Sequence, residues 1–253
     1  MEDIIIIELI NVSKTFAKEV RPSVDNISIT INKGEILVLI GSSGSGKSTL
    51  LKLINGLEQP SMGTVLINGN DITSCNTLEL RRTFFSYVFQ KVGLFPHMTV
   101  QQNINVVMKF AKKSPEFRSK RILELLDFVQ LDPSIYLHRY PSQLSGGEQQ
   151  RVGVARALAT DSECMLMDEP FGALDALTRN DLQKEILLLR DNFNKTIIFV
   201  THDIAEAFKL GDRIAVLQQG KLEQIGTKEE LCRSPKTSFV EQMVNAGLGD
   251  RHE

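Results

Sequence analysis

Several things are missing from this chain, and each absence excludes a class of protein. No apolar run in the 253 residues approaches the roughly 18–20 needed to span a bilayer. The chain is therefore expected to meet a membrane only through a partner, as a peripheral protein on the cytoplasmic face. An excess of basic charge is also lacking. Lys and Arg total 29 against 31 Asp and Glu, a net charge of −2, whereas nucleic-acid binders carry a basic balance, so no nucleic-acid partner is expected. Cysteine is scarce: Cys75, Cys164 and Cys232 stand far apart with no CxxC pair, which reads as free thiols in a reducing compartment. No internal repeat or low-complexity linker is visible. The opening Ile4–Ile7 run is strand-sized, follows two acids and is unlike a signal peptide. What remains is ordinary: 42% hydrophobic residues, enough to bury one substantial core as a single domain.

The strongest local pattern is Gly41-Ser42-Ser43-Gly44-Ser45-Gly46-Lys47-Ser48, a full match to the G-x-x-x-x-G-K-[ST] phosphate loop. It follows the apolar run Ile36–Ile40 and precedes Thr49–Ile54, which reads as a helix. That strand–loop–helix context separates a phosphate loop from a merely flexible glycine-rich one. Successive backbone N–H groups would wrap a β-phosphate, Lys47 would bridge β and γ oxygens, and Ser48 would ligate Mg²⁺. ATP or GTP is the expected ligand.

Three further strand-like runs end in polar residues. Cys164–Met167 leads into Asp168 and Glu169, at the edge where parallel sheets meet ligands. Asp168 suits a Mg²⁺ contact through water, since that ion keeps several waters and takes few carboxylates. Glu169 is then placed to orient or deprotonate the water attacking a γ-phosphate. Thr196–Val200 is followed by Thr201 and His202, and a γ-phosphate contact is the expectation for His202. Gln90 ends the run Phe85–Phe89. Its amide either reaches Mg²⁺ or the attacking water, or is a surface Gln in a turn. Leu144-Ser-Gly-Gly-Glu-Gln-Gln-Arg151 reads as a helix starting at Ser145, whose free N–H groups and positive dipole end form an anion site. Gly146 and Gly147 let a phosphate come close to the backbone.

Together these motifs resemble the ATP-binding cassette subunits of ABC transporters, over nearly the whole chain. Gly41–Ser48 is like the Walker A loop, Gln90 the Q-loop, Leu144–Gln150 the signature, Cys164–Asp168 Walker B with Glu169 as catalytic glutamate, Ala173–Asp175 the D-loop, and His202 the switch histidine. Phe16 matches the position whose ring stacks on adenine, where the family more often has Tyr; a core Phe is the alternative. The resemblance implies an α/β P-loop NTPase fold: a RecA-like parallel-sheet core with an antiparallel β subdomain, over about 1–97 and 161–253, and a helical subdomain over 98–160. It implies ATP and Mg²⁺, and a head-to-tail homodimer in which Ser145, Gly146, Gly147 and Gln149 of one chain meet the ATP of the other. It implies transmembrane permease subunits and an extracytoplasmic solute-binding protein. Leu94, Phe95, Pro96, His97 and Met98 are candidates for the permease contact, the alternative being an internal loop packed on its own domain.

Within the family, Gly93–Thr99, Arg139–Leu144, Arg151–Leu158 and Met167–Asp175 resemble ATPases of glycine betaine, choline and related quaternary-amine importers. An exporter or lipid-transport ATPase is the main alternative, and a soluble non-transport cassette a remote one. Three departures are visible: Lys91 where a second Gln is common, Ser43 for a common Pro, and Glu148 for a common Gln. None removes a phosphate ligand. After Glu230 only a short helical tail, Phe239–Ala246, is expected, and no regulatory domain.

Overall fold

The structure is a computed structural model that describes residues 4–17, 19–88, 93–172 and 174–249. In chain order the first elements are β1 (Ile5–Lys14), β2 (Val24–Asn32), β3 (Ile36–Ile40), α1 (Lys47–Ile54), β4 (Met62–Ile67), β5 (Asn70–Asp71) and α2 (Thr77–Thr83). Next come β6 (Phe85–Val88), α3 (Val100–Phe110), α4 (Pro115–Phe128), α5 (Pro133–Tyr136), a 3₁₀ turn (Pro141–Gln143), α6 (Gly146–Leu158), β7 (Cys164–Asp168) and α7 (Ala176–Phe193). The chain then continues through β8 (Thr196–Thr201), α8 (Ile204–Leu210), β9 (Arg213–Gln218), β10 (Lys221–Gly226), α9 (Lys228–Arg233) and α10 (Ser238–Gly249).

These elements form two compact units. The first takes residues 1–78 and 190–253, the second 79–189. In the first, β1 pairs antiparallel with β2 and β4, and β4 with β5. Alternation along β2 buries Val24, Ile27, Ile29 and Ile31 and leaves the intervening residues more exposed, the mark of a strand with one wet face. The same unit holds β3 between β8 and β9, parallel to both, with β10 antiparallel on β9. Every residue of β3 and β8 is buried, as expected of parallel strands covered on both faces, and this is why β3 is apolar throughout and β8 is apolar from Ile197 to Val200. The Asn68-Gly69 turn closes β4 onto β5 with φ of 48° and 76°.

In the second unit β6 and β7 run parallel, Phe85 opposite Cys164 and Val88 opposite Met167. β6 thus lies beside the strand that ends at Asp168. The two units divide at 78/79 and 189/190. The reason is physical. β6 and β7 bond each other, and α6 packs on β6 as well as on α3 and α4, so the strands flanking the helices cluster with them. Arg151 of α6 donates to the Val129 carbonyl at 2.8 Å and to Glu185 of α7. Burial pushes the Glu185 carboxyl up against the opposing pull of Arg151, which ties α6 to α7.

Candidate functional site

The first unit assembles the phosphate-loop half of the predicted site. Ile40 of β3 stands opposite Thr201 of β8 in parallel register, so Gly41 and His202 leave the same sheet edge on neighbouring strands. His202 is exposed there. From Gly41 the chain curls through Gly46, whose φ of 101° suits a residue without Cβ, and enters α1 at Lys47. Lys47 is only 6% exposed. Its ammonium donates to the carbonyls of Gly41 at 2.7 Å and Ser42 at 2.9 Å, inside the loop. Ser42, Ser43 and Gly44 are exposed and Ser45 is buried, while Ser48 and Thr49 lie in the first turn of the helix, Ser48 exposed and Thr49 half-buried. Phe16, just after β1, is half-buried with the Lys14 ammonium 5.0 Å from its ring centroid. It is no core residue.

The second unit assembles the acidic and signature half. Asp168 and Glu169 end β7, both half-buried. The Tyr87 hydroxyl of β6 lies 3.5 Å from the Asp168 carboxylate. Burial, and then the Asp168 charge, push the Tyr87 pKa well above its ordinary value, so this hydroxyl stays protonated as a donor. Glu169 has φ of +46°, a left-handed backbone uncommon for a non-glycine residue and concentrated at functional sites. Neither feature was legible from the motif. Gln90 and Ala173 lie outside the described residues.

The signature start is a capping box. The Ser145 hydroxyl accepts from the Glu148 N–H at 3.3 Å, and the Glu148 carboxylate accepts from the Ser145 N–H at 2.7 Å. A hydroxyl that accepts keeps its own hydrogen to donate, and Ser145 and Gly146 are exposed. The other Glu148 oxygen accepts from Tyr136 at 2.6 Å. The Tyr136 bond first, then the Ser145 amide, hold the Glu148 carboxyl below its usual range. A depressed carboxylate pKa adds stability above the unfolded value, lost as pH falls through the folded one. Tyr136→Phe is accordingly expected to raise the Glu148 pKa toward its ordinary 4.5 and shift acid unfolding to higher pH. An NMR titration of the carboxyl carbon checks it; an unmoved pKa would contradict the clamp.

Gln149 spends its amide on the Pro141 and Leu144 carbonyls at 3.0 and 3.2 Å, shaping the turn before the signature. Asp175 is brought to the same helix start through Thr178. That hydroxyl donates to Asp175 at 2.7 Å, and a Cβ on Gly147 would sit 2.7 Å from the Thr178 methyl. Asp175 also accepts from the N–H groups of Leu177 and Thr178, capping α7, and these bonds hold its pKa down, the Thr178 hydroxyl first.

A cavity of about 410 Å³ opens in this unit, lined by Arg81, Arg82 and Arg156 with Phe95 and Phe110 among its apolar walls. Phe95 is 41% and Phe110 61% exposed; in the 94–98 segment Pro96 and His97 are exposed as well, with Leu94 and Met98 half-buried. Its turn is fixed by the fully buried Asn103, whose amide donates to the carbonyls of Phe95, Met98 and Thr99 and accepts from the Phe95 N–H.

A phosphate loop entered from a parallel strand, with acids at a second strand end, defines a P-loop nucleotide-binding protein of the α/β class. Residues 24–172, more than half of the chain, match the family described as ABC transporter, and the chain belongs to it. It is 50% identical over 238 residues to the glycine betaine/carnitine/choline transport ATP-binding protein OpuCA of Bacillus subtilis, covering 94% of this chain and 62% of that one. It is 46% identical over 241 residues to the osmoprotectant import ATP-binding protein OsmV of Salmonella typhimurium, covering 94% and 63%. The chain thus spans somewhat under two thirds of these relatives. Among solved structures it resembles an ATP-binding cassette in a dimeric post-hydrolysis state bound to ADP and Pi, with TM-score 0.79 and 35% identity over 87% of this chain and 98% of that one. Among the described residues no helix is long and apolar enough to cross a membrane.

Proposed function

We propose that this chain binds and hydrolyses ATP to energise an ABC importer of a small quaternary-amine solute of the glycine betaine or choline kind. It acts at the cytoplasmic membrane face as a head-to-tail homodimer bridged by two ATP molecules. The observation that carries this reading is that one chain holds two anion-binding devices of different design: a lysine-bearing loop and a glycine-flanked, capped helix start at Ser145. The first suits the chain's own nucleotide, the second one presented by the partner copy. Similarity to OpuCA and OsmV along most of the chain supports the solute class.

In this mechanism Gly41–Ser48 amides and Lys47 hold the β- and γ-phosphates, Phe16 offers a ring face to adenine, and His202 contacts the γ-phosphate. Glu169 orients the attacking water and takes its proton. The donors available for a cation are the Ser48 hydroxyl and the Asp168 carboxylate, with Gln90 a further candidate. Few protein oxygens of hard character fit Mg²⁺, which retains waters and phosphate oxygens and would supply charge neutralisation. The arginine-rimmed cavity with Phe95 and Phe110 suits a permease segment that presents a carboxylate beside apolar side chains.

Affinity purification of the tagged chain from native membranes in mild detergent, read by mass spectrometry, tests the proposal. A multi-span permease with an extracytoplasmic amine-binding protein is the expected result. A permease alone would move the reading to export or lipid transport, and soluble partners only would remove transport altogether.

A further inference from the structure

We propose that Gly220, at the tip of the β9–β10 hairpin, is a positioning residue that braces the phosphate loop into its anion-binding shape. The proposal rests on residues 41–48 being the phosphate site. Two hairpins of the first unit close with the same two-residue turn. Asn68-Gly69 has φ of 48° and 76°, and Gln219-Gly220 has φ of 48° and 82°, each pair of positive values marking a type I′ turn. Their surroundings differ. A Cβ on Gly69 would meet nothing within 4 Å, while one on Gly220 would lie 2.9 Å from the Pro22 carbonyl oxygen and 3.2 Å from that of Ser23.

That close seat serves the loop. The Gly220 N–H donates to the Ser45 carbonyl at 3.1 Å, and the Gly220 carbonyl accepts from the Asp25 N–H at 2.8 Å. The loop's two outer glycines back onto the same structures. A Cβ on Gly41 would stand 2.1 Å from the Leu217 carbonyl oxygen of β9, and one on Gly46 would stand 2.3 Å from that of Ser23. The peptide unit is planar and trans, so a carbonyl and the following N–H point in opposite directions. Holding the Ser45 carbonyl against Gly220 therefore turns the Gly46 N–H away from the hairpin, toward the concave side of the loop. An anion nest works only if successive amides are already aimed. Without the hairpin bond, glycine at 46 would let that peptide rotate at little cost.

The test compares Gly220→Ala and Gly220→Asn with Gly69→Ala and Gly69→Asn, measuring affinity for a fluorescent N-methylanthraniloyl ATP and Tm together. Asn tolerates positive φ better than Ala, so the Asn pair separates the contact from the turn's own strain. Both Gly220 variants are expected to weaken binding about tenfold, the scale of a charge-assisted hydrogen bond, while Gly69 variants of similar Tm bind as the parent does. Equal affinities in the two series would overturn the brace. Should the Gly220 variants fail to fold, amide exchange of the unaltered protein decides. Nucleotide is expected to slow exchange at Gly220, which lies behind the loop, and not at Gly69; equal responses would overturn the proposal. Lys47→Ala runs alongside. If it binds the analogue normally, the phosphate-site reading itself fails, and the brace with it.

Discussion

Glu169→Gln is expected to bind ATP as the parent does while hydrolysing it about 10²–10⁴-fold more slowly, the usual contribution of a positioned general base. The side chain keeps its shape and can still accept from a water, but an amide cannot take the proton. The position favours this clean separation. Glu169 follows directly on Asp168 at the end of a buried strand, and its left-handed backbone is held by the Gly172 N–H, which donates to the Glu169 carbonyl at 3.2 Å. Gln carries a Cβ and Cγ like Glu and adopts that backbone at the same cost, so the fold should be undisturbed. With turnover blocked, ATP is predicted to hold two copies together, and gel filtration in ATP should show a dimer that nucleotide-free protein lacks. Adding Ser145→Arg to the same background should keep it monomeric, because a long cation fills the exposed helix start where the partner's γ-phosphate would come. A Glu169→Gln protein that turns over at the parent rate would take Glu169 out of the role.

Much of this site was legible because its signals are local. The phosphate loop is eight consecutive residues between an apolar pentad and a helix, and β3, the loop and α1 follow in that order. The strands at 164–168 and 196–201 were readable from the apolar runs Cys164–Met167 and Ile197–Val200 at their centres, because burial on both faces leaves no room for alternation there. The helix start at Ser145 was legible from the signature, and the structure adds the two reciprocal bonds of a capping box with Glu148.

What escaped the sequence depends on partners far away along the chain. Tyr87 reaches Asp168 across 81 positions, Tyr136 reaches Glu148 across 12, and Asn103 reaches back to Phe95 across 8. Nothing in the spacing of Phe85–Phe89 says which strand it will join. The pairing with β7 is decided by where α3–α6 return the chain. Glu169's positive φ has no sequence signature either, since Glu is not a turn former; the backbone conformation is imposed by the junction after β7. Gln149, expected to meet the partner's ATP, also has a local role that the motif did not announce: its amide nitrogen donates within the turn that presents Ser145.

Lys47→Ala is the second large effect, and it bears on affinity rather than turnover. The ammonium is almost completely buried and donates to the carbonyls of Gly41 and Ser42 and, at 3.4 Å, to the Ser45 hydroxyl. A phosphate arriving at this loop would meet a cation already placed there, and a hydrogen bond between two charged groups is among the strong ones. The loop carbonyls hold it in place, so little side-chain entropy remains to be lost when a phosphate arrives. Charge-assisted hydrogen bonds of this kind contribute roughly 1.5–3 kcal/mol, which corresponds to about a 10–150-fold loss of affinity on truncation. Calorimetric titration with Mg-ATP should show that loss, with Tm measured on the same protein. An affinity loss larger than any fall in Tm accounts for is the discriminating part of the result. A lysine serving mainly to hold the loop together would lower Tm on removal and affect nucleotide only in proportion. An unchanged Kd would mean that nucleotide does not bind at Gly41–Ser48.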